Sequence, residues 1–214
     1  MIAFADRDCG LCPRLADFRK ANRLAHPEWF NAPVPSFGAA DARLLVVGMA
    51  PGLRGANRTG RPFTGDHAGM LLYETLIRFG FAHGRYGADA ADGVVLADCR
   101  IANAVRCVPP KNLPEPAEAR TCNPFLAVEL AGMPELRIVL ALGLLSHAAI
   151  LRSQGVPASR HRFAHGAIHD LPNGKKLANS YHVSRYNQNT GRLTVSMFEQ
   201  VVADIRALLP ISAA

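Results

Sequence analysis

Four short apolar runs, at residues 43–48, 100–105, 137–143 and 176–181, set the main constraint on this chain. Each is about as long as a β-strand, and each ends in a loop bearing glycine, proline or histidine. Helical apolar periodicity lies between and after them, at residues 68–79, 115–131, 144–152 and 194–209. Strands that are apolar on both faces must be covered on both faces, and alternation with helices makes them parallel. The expected fold is α/β: three layers, α/β/α, around a central four-stranded, mostly parallel sheet. Its 214 residues suit one domain, 1–214. Residues 1–40, a Cys-bearing turn, a helix over 12–25 and the loop HPEWFNAPVPSFG, would pack on it. In such sheets ligands bind where the strands end, so the loops after Val47, Val105, Gly143 and Tyr181 should meet around one site.

The loop after the first run reads GMAPGLRGANRTGRPFTGD, from Gly48 to Asp66. Its five glycines permit close backbone approach, and its N–H groups before a helix could hold an anion. Neither GxxxxGK[ST] nor GxGxxG is present, which argues against a nucleotide cofactor. Phe63, without apolar neighbours in sequence, is either an anchor for the loop or a stacking platform for a planar ligand. Asp66 begins the helix and taken alone reads as its N-cap. Arg54, Asn57, Arg58 and Arg61 are either a solvated face or a grip for phosphates. Lysine and arginine exceed aspartate and glutamate by 24 − 17 = 7, which fits a polyanionic partner or a merely basic protein.

No run approaches the ~20 apolar residues of a membrane span. The start, MIAFADRDCG, lacks a basic region followed by a long apolar one. A cytoplasmic protein without a membrane partner is expected. Five cysteines there are not a disulfide framework. Cys9 and Cys12 form C-x-x-C, and fourteen residues separate Cys107 from Cys122. That is not the two close pairs usual for structural zinc, and four thiolates can also hold an iron–sulfur cluster. The cytidine-deaminase signature is absent. Cys99 reads as a buried thiol. His161, His165 and His169 recur every four residues, but Gly166 and the short segment favour a hairpin over a metal-binding helix.

GMAPGLRGANRTGRPFTGD resembles the first active-site motif of the bacterial and archaeal family 5 uracil-DNA glycosylases. SYHVSRYNQNTGRLT resembles their second motif, and IANAVRCVPP the segment between that carries a base-reading asparagine. The resemblance spans roughly residues 5 to 208. It implies the glycosylase-like fold and a 4Fe–4S cluster on Cys9, Cys12, Cys107 and Cys122. It implies hydrolysis of the N-glycosidic bond of uracil in double-stranded DNA, and of hypoxanthine, xanthine and ethenocytosine, leaving an abasic site as the first step of base excision repair. Gly48, Met49, Ala50, Pro51, Gly52 and Phe63 would enclose the flipped base. Asn103 would read its edge, and His182 would face the charge developing on it. Asp66 is the carboxylate left to orient water, because Met49 stands where relatives carry Asp, Asn or Glu. Arg54, Asn57, Arg58, Arg61, Ser184, Arg185, Tyr186 and Asn187 would contact DNA. Where many relatives read HPS, this chain reads His182-Val183-Ser184, and losing proline frees the backbone there. A monomer is the simplest assumption. Two other readings stand beside this one: a non-catalytic iron–sulfur or zinc protein that binds nucleic acid, and a hydrolase of free nucleosides.

Overall fold

Predominantly apolar side chains along the expected strands place those strands in the middle of the computed structural model, which describes residues 5–210. The first four residues of the amino-terminal reading lie outside the described residues. The elements are α1 (Pro13–Ala25), β1 (Leu44–Gly48), α2 (Ala56–Thr59), α3 (His67–Arg78), β2 (Ala82–His83), β3 (Val95–Leu96), β4 (Cys99–Asn103), α4 (Pro116–Ala131), β5 (Ile138–Leu142), α5 (Leu144–Ser153), β6 (Ile168–Asp170), β7 (Lys176–Ser180), α6 (Arg185–Asn189) and α7 (Val195–Leu208). The main sheet runs β4-β1-β5-β7-β6, and β2 pairs with β3 in a separate two-stranded ribbon.

β1 lies between β4 and β5, parallel to both, and β5 pairs in parallel with β7. Alternate residues of β1 enter different cores. Leu44 and Val46 pack with Leu72 and Leu76 of α3 and with Phe198, Val202 and Ile205 of α7. Leu45 and Val47 pack with Leu126 and Leu130 of α4 and with Ala149 and Ile150 of α5. This is the three-layer arrangement that unbroken apolar strands demand.

The sheet has five strands, not the four expected. The additional one, β6, pairs antiparallel with β7, and Asp170 opposes Lys176. It is a three-residue edge strand with every residue at least partly exposed, so it needs no apolar run, the feature by which the others were recognised. It overlaps the histidine-bearing segment read as a hairpin. No described helix is long and apolar enough to cross a membrane.

The amino-terminal segment is tied to the edge of the sheet. Phe37 bridges Ile101 of β4, and the Val34 N–H donates to the Arg106 carbonyl at 2.8 Å. Beneath this seam Glu129 of α4 is fully buried and pairs with both Arg100 and Arg106. A carboxylate there tolerates burial because two guanidinium groups supply its hydrogen bonds, and together they hold its pKa below the ordinary range despite burial.

Candidate functional site

The parallel sheet sends the ends of β1, β4, β5 and β7 to one edge, and their loops surround a cleft of about 620 Å³. Met49, Ala50, Pro51, Gly52, Phe63 and Asp66 line it from the first loop, with Asn103 and Gly143 from the ends of β4 and β5 and His182 from beyond β7. The first loop is fastened to the exit of β4: Gly48 O accepts from the Ala104 N–H at 2.9 Å, and Met49 O from Val105 at 3.0 Å.

Phe63 adopts φ 53°, a left-handed conformation costing a non-glycine residue about 1–2 kcal/mol. That backbone turns its ring over Gly48, where an added Cβ would fall 2.4 Å from Phe63 Cζ and 2.5 Å from Asn103 Oδ1. Gly48 therefore makes room for both residues at once. The Phe63 and His182 rings lie 6.1 Å apart. Asn103 is 2% exposed, and its Oδ1 has no hydrogen-bond partner. A buried acceptor left unpaired costs roughly 1–3 kcal/mol, which a donor on a bound ligand would recover.

His182 is held neutral: burial pushes its imidazole down to about 4. Asp66 does cap α3, its Oδ1 accepting from the Ala68 N–H at 3.1 Å. Its Oδ2 lies over Gly52 and Gly55, where a Cβ would come within 2.7 and 2.3 Å. Burial, the largest influence, raises its pKa against the two backbone N–H groups that favour the charged form. The capping role and a position in the cleft are thus compatible, one oxygen serving each.

The expected phosphate grip divides. Arg54 and Arg58 are exposed. Asn57 is fully buried and donates to Asn31 Oδ1 at 2.9 Å, so it cannot reach DNA. Arg61 is 5% exposed and forked onto Asp92 at 2.8 and 2.7 Å, with its guanidinium 5.2 Å from the ring centres of both Phe37 and Tyr73. These two residues brace the loop from inside. A charge in a sequence does not show whether a partner lies tens of residues away, as Asp92 does.

Beyond β7, Ser184 caps α6, its Oγ accepting from the Asn187 N–H at 3.3 Å. Arg185 and Tyr186 are exposed at the rim of the cleft. The Asn187 side chain turns inward and donates to His182 O at 2.8 Å, while Gln188 donates to Val183 O at 2.8 Å. The backbone freed by the missing proline accepts hydrogen bonds from these two side-chain amides. Lys111 and Asn112 also line the cleft, and sequence reasoning missed them. Both are left-handed, at φ 57° and 55°, and Asn112 Oδ1 accepts from the Leu53 N–H at 2.9 Å. Two successive positive-φ residues after VPP leave no periodic signal; only the Lys-Asn pair in a proline-rich turn hints at them.

On the far side of the β4 exit, Cys9, Cys12, Cys107 and Cys122 gather around one small apolar cavity with Leu15, Val105 and Phe125. None forms a disulfide. Among the described residues no three His, Cys, Asp or Glu side chains converge as a single metal ion would need. The donor set is all sulfur. Arg19 Nη1 donates to Cys107 Sγ at 3.3 Å and the Arg106 N–H to Cys122 Sγ at 3.4 Å, contacts that would steady thiolates. An all-sulfur set of four is compatible with an iron–sulfur cluster. Burial pushes the Cys107 thiol up to about 12.

Residues 35–206 match the family model for the uracil DNA glycosylase superfamily. The chain is 44% identical to the type-5 uracil-DNA glycosylase of Thermus thermophilus, over 94% of this chain and 93% of that one. It is 42% identical to the type-5 enzyme of Mycobacterium leprae over 94% and 91%. A type-4 uracil-DNA glycosylase of Pyrobaculum aerophilum is 34% identical over 72% and 65%.

Proposed function

This chain belongs to the uracil-DNA glycosylase superfamily, in its type-5 branch, and from that premise we propose that it excises uracil from double-stranded DNA. The observation that carries this reading is the buried, unpaired Oδ1 of Asn103 in the cleft that also holds Phe63 and neutral His182. An Asn amide offers an acceptor and a donor, which match N3–H and O4 of uracil.

A base stacked in a duplex cannot reach this cleft, so the nucleotide is flipped out, at least cost when it is mispaired. Arg185 and Tyr186 at the rim stand where they can fill the vacated stack, and Arg54 and Arg58 can take the flanking phosphates. Phe63 stacks the base and Asn103 reads its edge. As the bond between C1′ and the base nitrogen lengthens, the electron pair moves onto the base. Neutral His182 donates a hydrogen bond to O2, where the charge collects; one such donor contributes on the order of 10²–10³ in rate. Asp66 Oδ2 orients water towards C1′ and stabilises its developing positive charge. Water adds to C1′, the base leaves with a proton, and an abasic site remains. This consumes water alone and calls for no nucleotide cofactor.

Hypoxanthine, xanthine and ethenocytosine share the planar face that Phe63 would stack, and we include them as substrates. The cleft is large enough for a purine. Cys9, Cys12, Cys107 and Cys122 would hold a 4Fe–4S cluster whose part is to join the amino-terminal segment to the loop beyond Asn103. The chain acts as a single domain and a monomer in the cytoplasm, on the nucleoid when bound.

The test is cleavage of duplex oligonucleotides bearing one uracil or one hypoxanthine, with alkali to reveal abasic sites. The parent should leave such sites, and His182→Ala should lose most of the rate. A cluster-loaded protein that binds DNA yet leaves every lesion intact would make this a nucleic-acid-binding protein.

A further inference from the structure

The ring of Phe63 can stack a base only if its backbone keeps a conformation that this residue type resists. Two phenols hold it there. Tyr73 of α3 donates to Pro62 O at 2.8 Å, and Tyr86 donates to Phe63 O at 3.0 Å. The two rings stack on each other, 4.7 Å apart and 14° from parallel. Successive carbonyls on either side of the strained residue are thus gripped by one stacked pair. The pair fits because residue 69 is glycine: a Cβ there would fall 1.9 Å from Phe63 O and 2.2 Å from Tyr86 Oη.

Tyr86 itself comes from a long excursion between β2 and β3, none of whose residues lines the cleft. Asp92 fastens that excursion. It forks onto Arg61 and also accepts from the Gly87 N–H at 2.9 Å and the Val94 N–H at 3.0 Å. Arg61 in turn donates to Thr64 Oγ1 at 2.7 Å and lies over the Tyr73 ring. The chain Asp92–Arg61–Thr64 therefore closes around residues 61–64, whose Pro62 and Phe63 carbonyls the tyrosines grip.

We propose that Tyr86, backed by Tyr73, is a positioning residue for the base platform, and that the excursion carrying it is a buttress setting how firmly Phe63 meets the flipped base. This inference rests on the role given to Phe63 above. Tyr86 acts through the Phe63 carbonyl and touches no substrate. Relaxing it lets Phe63 leave the left-handed region, which tilts the ring away from Asn103 and His182.

The experiment is a double-mutant cycle of Tyr86→Phe and Phe63→Leu, read as the single-turnover rate on a uracil duplex and as affinity for a duplex bearing 2′-fluoro-deoxyuridine, whose glycosidic bond resists hydrolysis. Tyr86→Phe keeps the stacked ring and removes one hydrogen bond, so it should slow cleavage roughly three- to tenfold. It should weaken lesion binding by a similar factor, while affinity for undamaged duplex stays unchanged. In the Phe63→Leu background the same change should add less than about twofold, because the ring it positions is gone. An equal loss in both backgrounds, or no loss with Phe63 present, overturns the positioning role while leaving the glycosylase intact. A parent that neither cleaves uracil nor prefers the fluorinated lesion overturns the glycosylase reading, and the positioning role falls with it.

Discussion

Gly48→Ala adds one carbon atom at the point where the base platform and the edge reader meet. The new Cβ would stand 2.4 Å from Phe63 Cζ, 2.6 Å from its Cε2 and 2.5 Å from Asn103 Oδ1. Ordinary carbon contacts lie near 3.5–4.0 Å, so each neighbour must retreat by about 1 Å. Neither can do so easily. Gly48 sits in register with Asn103 in the sheet, and its carbonyl is bonded to the Ala104 N–H. Phe63 is pinned at its own carbonyl by Tyr86. Overpacking of this kind costs about 1–3 kcal/mol of stability, a fall in Tm of roughly 2–12 °C for a chain of this size. The catalytic loss should be larger: a 1 Å misplacement in a positioned site costs about 10²-fold, and here two groups move. Single-turnover cleavage of a uracil duplex, with melting followed in parallel, measures both. Trimming the ring in Gly48→Ala/Phe63→Leu should recover part of the Tm, since the contact with Asn103 Oδ1 remains, without restoring the rate. A Gly48→Ala enzyme within about threefold of the parent would refute the placement of Phe63 and Asn103 around one base.

Several other outcomes are expected. Because burial holds His182 neutral down to about pH 4, the rate should show no break near the ordinary histidine value of 6.5. The acid limb should instead belong to Asp66, whose carboxylate, raised by burial above the ordinary 3.8, becomes protonated and inactive as pH falls. Asp66→Asn should leave only the limb due to His182 at about 4, and a limb that survives unchanged would remove Asp66 from the chemistry. Glu129→Ala leaves two buried guanidinium groups unpaired, at a cost of about 3–5 kcal/mol; melting should fall by at least ~6 °C. Arg58→Ala should weaken DNA binding and flatten its salt dependence, whereas Arg61→Ala should lower Tm, since its charge is spent on Asp92. Cys107→Ser should lose bound iron and acid-labile sulfide, measured chemically on the purified protein.

The layering of this protein was legible in its sequence because the signal is local. A strand buried on both faces is mostly apolar, and a helix covering it must repeat every three to four residues. The same holds for the glycines of the first loop and for the Asp66 cap, whose requirements lie within a turn of chain. β6 escaped because an edge strand with solvent on one side makes no such demand. What charged and polar residues do was decided only by tertiary structure. Arg58 and Arg61 look alike in sequence, yet one is exposed and the other is sealed against Asp92. Asn57 and Asn187 look like DNA contacts, yet Asn31 and the His182 carbonyl take their amides. Tyr86 and Lys111 carry no motif at all and reach the cleft, or its platform, from separate excursions. A hydrogen bond depends on a partner's position in space, and for these residues that partner lies at a sequence distance no periodicity encodes.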